Sequence, residues 1–260
     1  MQKSLFEMCN VEISYNGESV VHDVSLKLKP SEILGIVGES GSGKSTLIKA
    51  AMGLLGNYGE ISKGDIFYKE NNLLNIKPEA LRKMRGPEMG MIFQNCASAL
   101  CPIRTIGNQL YEMMVQHNQR NKKEIMNMAI DLFQKMNLDG RRILESYPFE
   151  LSGGMNQRVG IVMAMMLKPN LLFADEPTSD LDVIAQAQVV DVLIKLRNEF
   201  GTAIIIVTHN IGLVSYMADK VAVMRQGHFV EYGDVKDVIY NPREDYTKRL
   251  IEVVPKIRKE

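Results

Sequence analysis

The sequence predicts an α/β fold, and three continuous apolar runs carry the prediction. They are residues 33–37, 171–174 and 203–207, which have the composition of parallel strands that are buried on both faces. The first run leads into a glycine-rich turn, and the other two end in Asp175-Glu176 and Thr208-His209. Because parallel strands end at one edge of their sheet, we expect the ligand site along that edge.

The other elements follow from shorter patterns, taken in chain order. Apolar and polar residues alternate over 24–28, which predicts a half-buried strand that Pro30 closes. Residues 97–150 read as a helical insertion between two halves of the α/β core. Its helical spacing is carried by Ile125, Ala129, Leu132, Phe133 and Met136. Segments 221–224 and 229–232 predict a late hairpin, and residues 245–253 predict a short helix.

Composition excludes several classes of protein. The 260 residues carry 31 basic and 31 acidic side chains, so no net charge favours bulk nucleic-acid binding. No apolar run approaches the roughly 20 residues that cross a bilayer, and the acid at Glu7 does not suit a signal peptide. Three widely spaced cysteines do not suggest a disulfide framework and favour a reducing compartment.

Residues 38–46, Gly-Glu-Ser-Gly-Ser-Gly-Lys-Ser-Thr, match the phosphate-loop pattern G-x-x-x-x-G-K-[ST]. A predicted strand precedes the motif and a helix-like segment follows it, which is the context that the motif requires. We expect Lys44 to reach the β- and γ-phosphates of ATP and Ser45 to bind Mg²⁺. The residues expected to bind ATP here are Gly38, Ser40, Gly41, Gly43, Lys44, Ser45 and Thr46. A merely flexible glycine loop is the disfavoured alternative.

Two carboxylates follow the second apolar run. Asp175 is placed to hold Mg²⁺ through water, and Glu176 is placed to polarise an attacking water. Such a pair often only caps a helix, but after a phosphate loop at this distance it indicates hydrolysis.

Residues 151–158, Leu-Ser-Gly-Gly-Met-Asn-Gln-Arg, form a second anion-binding pattern at a helix start. Together with the phosphate loop, this motif resembles the nucleotide-binding subunit of an ABC transporter, and the resemblance covers nearly the whole chain. It implies a P-loop NTPase (RecA-like) core with an N-terminal antiparallel β subdomain and an inserted helical subdomain. The expected core is about 1–94 and 159–240, with the helical subdomain at 95–158 and a tail at 241–260.

Further motifs of the family fall in order along the chain. Tyr15 matches the aromatic residue that stacks on adenine, and Gln94 matches the Q-loop glutamine that links Mg²⁺ and water to the membrane partner. Residues 179–182 match the D-loop, with Asp182 as its last residue. His209 matches the switch histidine that contacts the γ-phosphate.

The resemblance also implies an assembly. Two ATPase subunits would pair head to tail, so that Ser152, Gly153 and Gly154 close the partner's ATP site. The second ATPase would be a homologous chain or another copy of this one. Two integral-membrane permeases and, indirectly, an extracytoplasmic solute-binding protein would complete a transporter on the cytoplasmic face of the membrane, without nucleic acid.

A narrower resemblance points to importers. Met155, residues 91–102 and the tail at 241–255 are similar to the ATPases of peptide and nickel importers, so the expected cargo is a peptide, nickel or a metal chelate. We expect neither the longer cysteine-bearing tail that some relatives carry nor an iron–sulfur cluster. The ATPase of an exporter and a soluble ABC ATPase without a transport role remain alternatives.

Some positions depart from the family pattern, although none removes a catalytic group. They are Asn95-Cys96, Asn156, Asp180 and Asn210. Most of the seventeen methionines lie between residues 84 and 166. They would either fill gaps in a helical core or form an adaptable docking surface for a permease.

Overall fold

The computed structural model describes residues 3–179 and 181–252, and α-helices and strands follow one another along both ranges. The strands are β1 (Phe6–Tyr15), β2 (Glu18–Leu28), β3 (Ile33–Val37), β4 (Gly59–Tyr68), β5 (Asn71–Asn72), β6 (Met89–Ile92), β7 (Leu171–Asp175), β8 (Ala203–Thr208), β9 (Lys220–Arg225) and β10 (His228–Asp234). The α-helices are α1 (Lys44–Ala51), α2 (Pro78–Met84), α3 (Cys96–Ala99), α4 (Ile106–Gln116), α5 (Lys122–Lys135), α6 (Gly140–Glu145), α7 (Gly153–Met165), α8 (Val183–Phe200), α9 (Ile211–Met217), α10 (Val235–Tyr240) and α11 (Asp245–Glu252).

The chain divides into two compact units. Unit 1 comprises the described parts of Met1–Leu81 and Ala203–Glu260, and unit 2 comprises the described part of Arg82–Thr202. The mixture of an antiparallel sheet with parallel strands is that of the α/β class predicted from the sequence.

Unit 1 contains an antiparallel sheet in the order β2-β1-β4-β5. Strand β1 is irregular, because its register against β2 shifts between Met8 and Val11 and again further along. The same unit holds the strand order β10-β9-β3-β8, in which β3 runs parallel to both β8 and β9. Val37 lies opposite Thr208 in this ladder, so the phosphate loop and His209 begin at neighbouring strand ends.

Unit 2 pairs β6 with β7 in parallel, with Met89 opposite Leu171 and Ile92 opposite Ala174. Helix α5 buries Ile125, Ala129 and Phe133 at the predicted spacing, which confirms the helical character of this segment. Among the methionines concentrated here, the buried ones are Met89, Met91, Met114, Met136, Met165 and Met166. Met89 and Met91 lie in strand β6, and the other four lie in or at the ends of α4, α5 and α7.

The C-terminal elements also follow the sequence patterns. Strands β9 and β10 form the predicted antiparallel hairpin, and α11 covers the predicted short helix as far as Glu252. The departure at Asp180 and the tail from Val253 through Pro255 lie outside the described residues. Within the described ranges, no helix combines the length and apolar character that a bilayer crossing requires.

Candidate functional site

The phosphate loop folds around its own lysine. Lys44 is only 5% exposed, and its Nζ donates hydrogen bonds to the carbonyl oxygens of Gly38 at 2.8 Å and Glu39 at 2.7 Å. Gly41 has a φ of +79°, a left-handed conformation that an L-side chain adopts only with strain. The loop therefore brings the buried ammonium group of Lys44 close to the N-terminus of α1.

This arrangement suits a polyphosphate with Mg²⁺. The positive end of α1 and the Lys44 ammonium both favour an anion at the loop. Ser45 lies half-buried in the first turn of α1, where a hydroxyl is a hard oxygen ligand of the kind that Mg²⁺ prefers. The residues present thus fit Mg·ATP, as the motif predicts.

His209 follows the last residue of β8 and is exposed to solvent. The residue after it begins a helix: the Asn210 side chain accepts a hydrogen bond from the N–H of Leu213 at 3.1 Å, which caps α9. Asparagine and aspartate cap helices about equally well. Asn210 therefore keeps the cap of the helix that begins directly after His209.

Tyr15 ends β1, where its backbone pairs with Glu18 of β2 and Gly59 of β4. Its ring is half-buried and lies against Gly59, since a Cβ at that glycine would come within 2.7 Å of Tyr15 Cε1. A larger residue at position 59 would displace the ring. One side of the Tyr15 ring thus packs against Gly59, and the rest of the ring is partly exposed to solvent.

In unit 2, Asp175 is the last residue of β7 and Glu176 follows it. Asp175 is buried, and Glu176 is half-buried with its backbone at φ +45°. Its carbonyl oxygen accepts hydrogen bonds from the N–H of Ser179 at 3.2 Å and from the Ser179 hydroxyl at 3.1 Å. A left-handed glutamate is a strained feature of the kind that concentrates at functional sites.

Gln94 lies two residues beyond β6 and is exposed. The departure beside it forms a short helix, because the Asn95 side chain accepts from the N–H of Ser98 at 3.2 Å and caps α3. Cys96 then turns inward, and burial raises the pKa of its thiol to about 11. Asn95-Cys96 is therefore a structural replacement that anchors the segment after Gln94.

Gln157 is a residue to which sequence reasoning gave no role. Its side chain is buried, and Nε2 donates to the carbonyl oxygens of Phe93 at 3.2 Å and Pro177 at 3.3 Å. Its Oε1 accepts from the N–H of Cys96 at 3.3 Å. Gln157 thus ties the residues on either side of Gln94 to the residue after Glu176. The one feature that could have drawn attention to Gln157 is its position among the buried residues of α7.

The Ser-Gly-Gly segment opens α7. The hydroxyl of Ser152 accepts from the N–H of Met155 at 3.3 Å as the N-cap, and Ser152 and Gly153 are both exposed. A Cβ added at Gly153 would lie in open space: among the described residues, nothing beyond its own helix start and chain neighbours comes within 4 Å. Asn156 is buried and donates to the carbonyl oxygen of Pro148 at 2.9 Å, so this departure braces the turn before the helix.

Asp182 caps α8 by accepting a hydrogen bond from the N–H of Ala185 at 2.9 Å. The two residues that follow it, Val183 and Ile184, are 80% and 73% exposed. Apolar side chains this exposed at a helix start suit a surface that another molecule covers.

The predicted site residues are thus distributed over both units. Unit 1 contains Tyr15, the phosphate loop and His209. Unit 2 contains Gln94, Asp175, Glu176, Asp182 and residues 152–154.

Comparison with known proteins identifies the family. The family model described as ABC transporter matches residues 21–179. The chain belongs to the ABC transporter family. It is an ATPase of that family, as the motifs predict.

Individual ABC proteins are similar over most of the chain. The oligopeptide transport ATP-binding protein AmiE of Streptococcus pneumoniae is 42% identical over 241 residues, which are 92% of this chain and 68% of AmiE. The dipeptide transport ATP-binding protein DppD of Lactococcus lactis is 38% identical over 98% of this chain and 75% of its own. A solved ATP-binding subunit of an ABC transporter superposes with a TM-score of 0.80 at 25% identity, covering 95% of this chain and 98% of its own. The P-loop NTPase fold expected from the sequence is thereby confirmed.

Proposed function

We propose that this chain is the ATP-binding and ATP-hydrolysing subunit that powers an ABC importer of peptides. The observation that carries the proposal is a phosphate loop with a buried Lys44, in an ABC chain whose similar relatives are named as oligopeptide and dipeptide transport ATP-binding proteins. The tail and Met155 favour the same class of transporter.

In this proposal the phosphate loop binds the triphosphate of ATP. Backbone N–H groups at the start of α1 bind phosphate oxygens. Lys44 keeps its hydrogen bond to the Gly38 carbonyl while its other N–H donors turn to the β- and γ-phosphates. Tyr15 stacks on the adenine, and His209 contacts the γ-phosphate. These assignments follow the motif order and agree with the neighbouring strand ends of β3 and β8 in unit 1.

Mg²⁺ accompanies the nucleotide in this proposal. Ser45 would hold it directly, with Gln94, and Asp175 would hold it through water. The ion neutralises phosphate charge when it is bound. The protein supplies hard oxygen atoms at each of these three positions, which is the donor set that this ion prefers.

Glu176 is proposed as the general base that orients and deprotonates the attacking water. Ser152, Gly153 and Gly154 would close the ATP of a partner ATPase, and Asp182 would lie in the D-loop at the same interface. The open space around Gly153 supports this role, since packing against the part of the chain that the structure describes does not require a glycine there. Hydrolysis would then depend on a dimer, while ATP binding would not.

The proposed assembly has a second homologous ATPase and two permeases at the cytoplasmic face of the membrane, fed by an extracytoplasmic binding protein. Residues 95–158 are proposed as the helical subdomain, whose half-buried methionines would contact a permease. Charged substitutions at those positions should uncouple transport without reducing ATP binding. Normal transport in such variants would place docking elsewhere.

A nickel or metal-chelate importer is the second candidate cargo class, because the tail pattern is similar in both groups of ATPases. An exporter or a soluble ABC ATPase would differ in its partners. Since cargo is selected by other subunits, only an experiment on the assembly separates these functions.

The deciding experiment is purification of a tagged chain from native membranes, with its partners identified by mass spectrometry. We expect two permeases, a second ATPase and a binding protein, which then takes up peptides rather than nickel in ligand titrations. Recovery of ribosomal proteins, or of no membrane protein, would overturn the importer proposal. The same purification from membranes in which the chain carries no tag controls for non-specific recovery.

A further inference from the structure

The C-terminal helix contacts the phosphate loop inside unit 1. The backbone N–H of Glu39, the second residue of the loop, donates a hydrogen bond of 3.1 Å to the phenolic oxygen of Tyr246 in α11. The two residues are 207 positions apart in the sequence. Tyr246 is only 8% exposed, whereas Glu39 is exposed, so the phenol side of this contact is the buried one.

The ring of Tyr246 is held from two directions. The guanidinium carbon of Arg225, at the end of β9, lies 5.0 Å from the ring centroid, a cation–π distance. The start of α11 is fixed by Glu231 of β10, whose carboxylate accepts from the N–H of Arg243 at 2.9 Å and of Glu244 at 3.3 Å. Tyr246 therefore reaches the loop from a braced position and not from a free chain end.

The contact falls on the peptide group that also holds Lys44. The N–H of Glu39 and the carbonyl of Gly38 belong to one peptide plane, and that carbonyl accepts from Lys44 Nζ at 2.8 Å. Fixing the N–H with Tyr246 fixes the direction of the carbonyl. Hydrogen bonds at both ends of one amide also polarise and strengthen each other. Burial is the largest cause that raises the pKa of Tyr246, so its hydroxyl stays protonated at neutral pH.

We propose that Tyr246 is a positioning residue for the phosphate loop, through which the C-terminal segment sets the affinity for ATP. The hydroxyl keeps the Gly38–Glu39 peptide in the orientation that places Lys44 at the loop. This inference rests on the proposed ATP site, and it adds a residue outside the motif to that site.

The test is Tyr246→Phe, which removes the hydroxyl and keeps the ring over Arg225. ATP affinity is measured by calorimetry on the full chain in EDTA, where turnover is prevented. We expect the Kd for ATP to rise about threefold to tenfold, the effect of losing one buried hydrogen bond. Because the loop holds the phosphates before and during the reaction, the KM for ATP should rise while kcat stays within about twofold. The melting temperature should change little.

The matched control is Tyr240→Phe in α10, the same chemical change at a side chain that is 77% exposed. It should leave ATP affinity unchanged. Glu231→Gln, which keeps one acceptor oxygen of two, should weaken ATP binding in the same direction. In the double variant of Tyr246→Phe and Glu231→Gln, the loss of ATP-binding free energy should be smaller than the sum of the two single losses. Both substitutions weaken the same contact between α11 and the phosphate loop.

Two results would overturn the inference. One is a Tyr246→Phe variant that binds ATP as the natural chain does, while Tyr246→Leu binds it more weakly; the ring would then matter and the hydroxyl would not. The other is an increase in the Kd for ATP that Tyr240→Phe shows to the same extent, because the effect would then not depend on the contact with Glu39. If the natural chain itself bound no ATP, the proposed ATP site would fail, and that outcome is visible before any variant is compared.

Discussion

Two helix starts, those of α1 and α7, carry the two anion-binding patterns of this chain, and they differ in how complete they are. At α1 the buried Lys44 already makes hydrogen bonds within the loop, and Tyr246 braces the peptide that it contacts. At α7 Ser152 caps the helix, while Gly153 faces open space that no described residue from elsewhere in the chain approaches within 4 Å. The difference matches the proposed function, in which one chain binds ATP and hydrolysis needs a second surface at α7.

The largest expected effect separates these two properties. Glu176→Gln should lower kcat about 10²- to 10⁴-fold, because a general base is lost, while the loop continues to bind ATP. Steady-state ATPase assays and ATP titrations on the same preparation measure both. Glu79→Gln, in α2 and outside every predicted site, is the control. Unchanged turnover in Glu176→Gln would remove this residue from the role of base.

The next largest effect tests phosphate binding at the start of α1. Lys44→Ala should raise the Kd for ATP about 10- to 100-fold, since charge-assisted hydrogen bonds to the phosphates are lost. Lys49→Ala, in the last turn of the same helix, should bind ATP normally. Calorimetric titration of both variants decides the matter, and normal binding by Lys44→Ala would contradict the loop assignment.

A smaller effect compares two glycines of α7. A Cβ at Gly160 would lie 2.2 Å from the Sγ of Cys96, so Gly160→Ala should lower the free energy of unfolding by about 1–3 kcal/mol. Gly153→Ala should leave stability and ATP binding unchanged and reduce only turnover. Denaturant unfolding measures the first quantity and ATPase activity the second. Full turnover in Gly153→Ala would indicate that nothing approaches this helix start.

The smallest effect concerns the brace of the phosphate loop. Burial alone would raise the pKa of Glu231, but hydrogen bonds and the charge of Arg243 outweigh it, and the net pKa is lowered. A carboxyl with a lowered folded-state pKa contributes stability above its unfolded pKa, and loses it as pH falls through the folded value. The melting temperatures of the natural chain and Glu231→Gln should therefore differ at pH 7 and converge below about pH 4. A constant difference would exclude the carboxylate charge as its cause.

Much of the fold could be predicted because its strands are buried on both faces. Continuous apolar runs identify β3, β7 and β8 without any knowledge of their neighbours. Strand β1 was not predicted from its own pattern, because bulges near Met8 and Val11 interrupt the alternation of polar and apolar residues. Strand β6 is only four residues long, and its last residues were assigned to the Gln94 motif, so no separate strand was predicted there.

The chemistry of the site could be predicted where a motif fixes backbone conformation, as it does around Lys44. Its supporting contacts could not. Gln157 acts through backbone atoms of Phe93 and Pro177, and any residue has such atoms. The contact between Tyr246 and Glu39 likewise joins a side chain to a main-chain N–H. Because a main-chain partner does not require any particular residue type, contacts of this kind cannot be recognised from the sequence.

The left-handed backbone of Glu176 has a consequence for how this chain can change over time. Folding alone would favour glycine at φ +45°, because a side chain there costs on the order of 1 kcal/mol. Drift toward greater stability at this position would therefore erase the carboxylate. Under the proposed role of Glu176 as general base, chemistry and the stability of the fold therefore place opposite demands on this position.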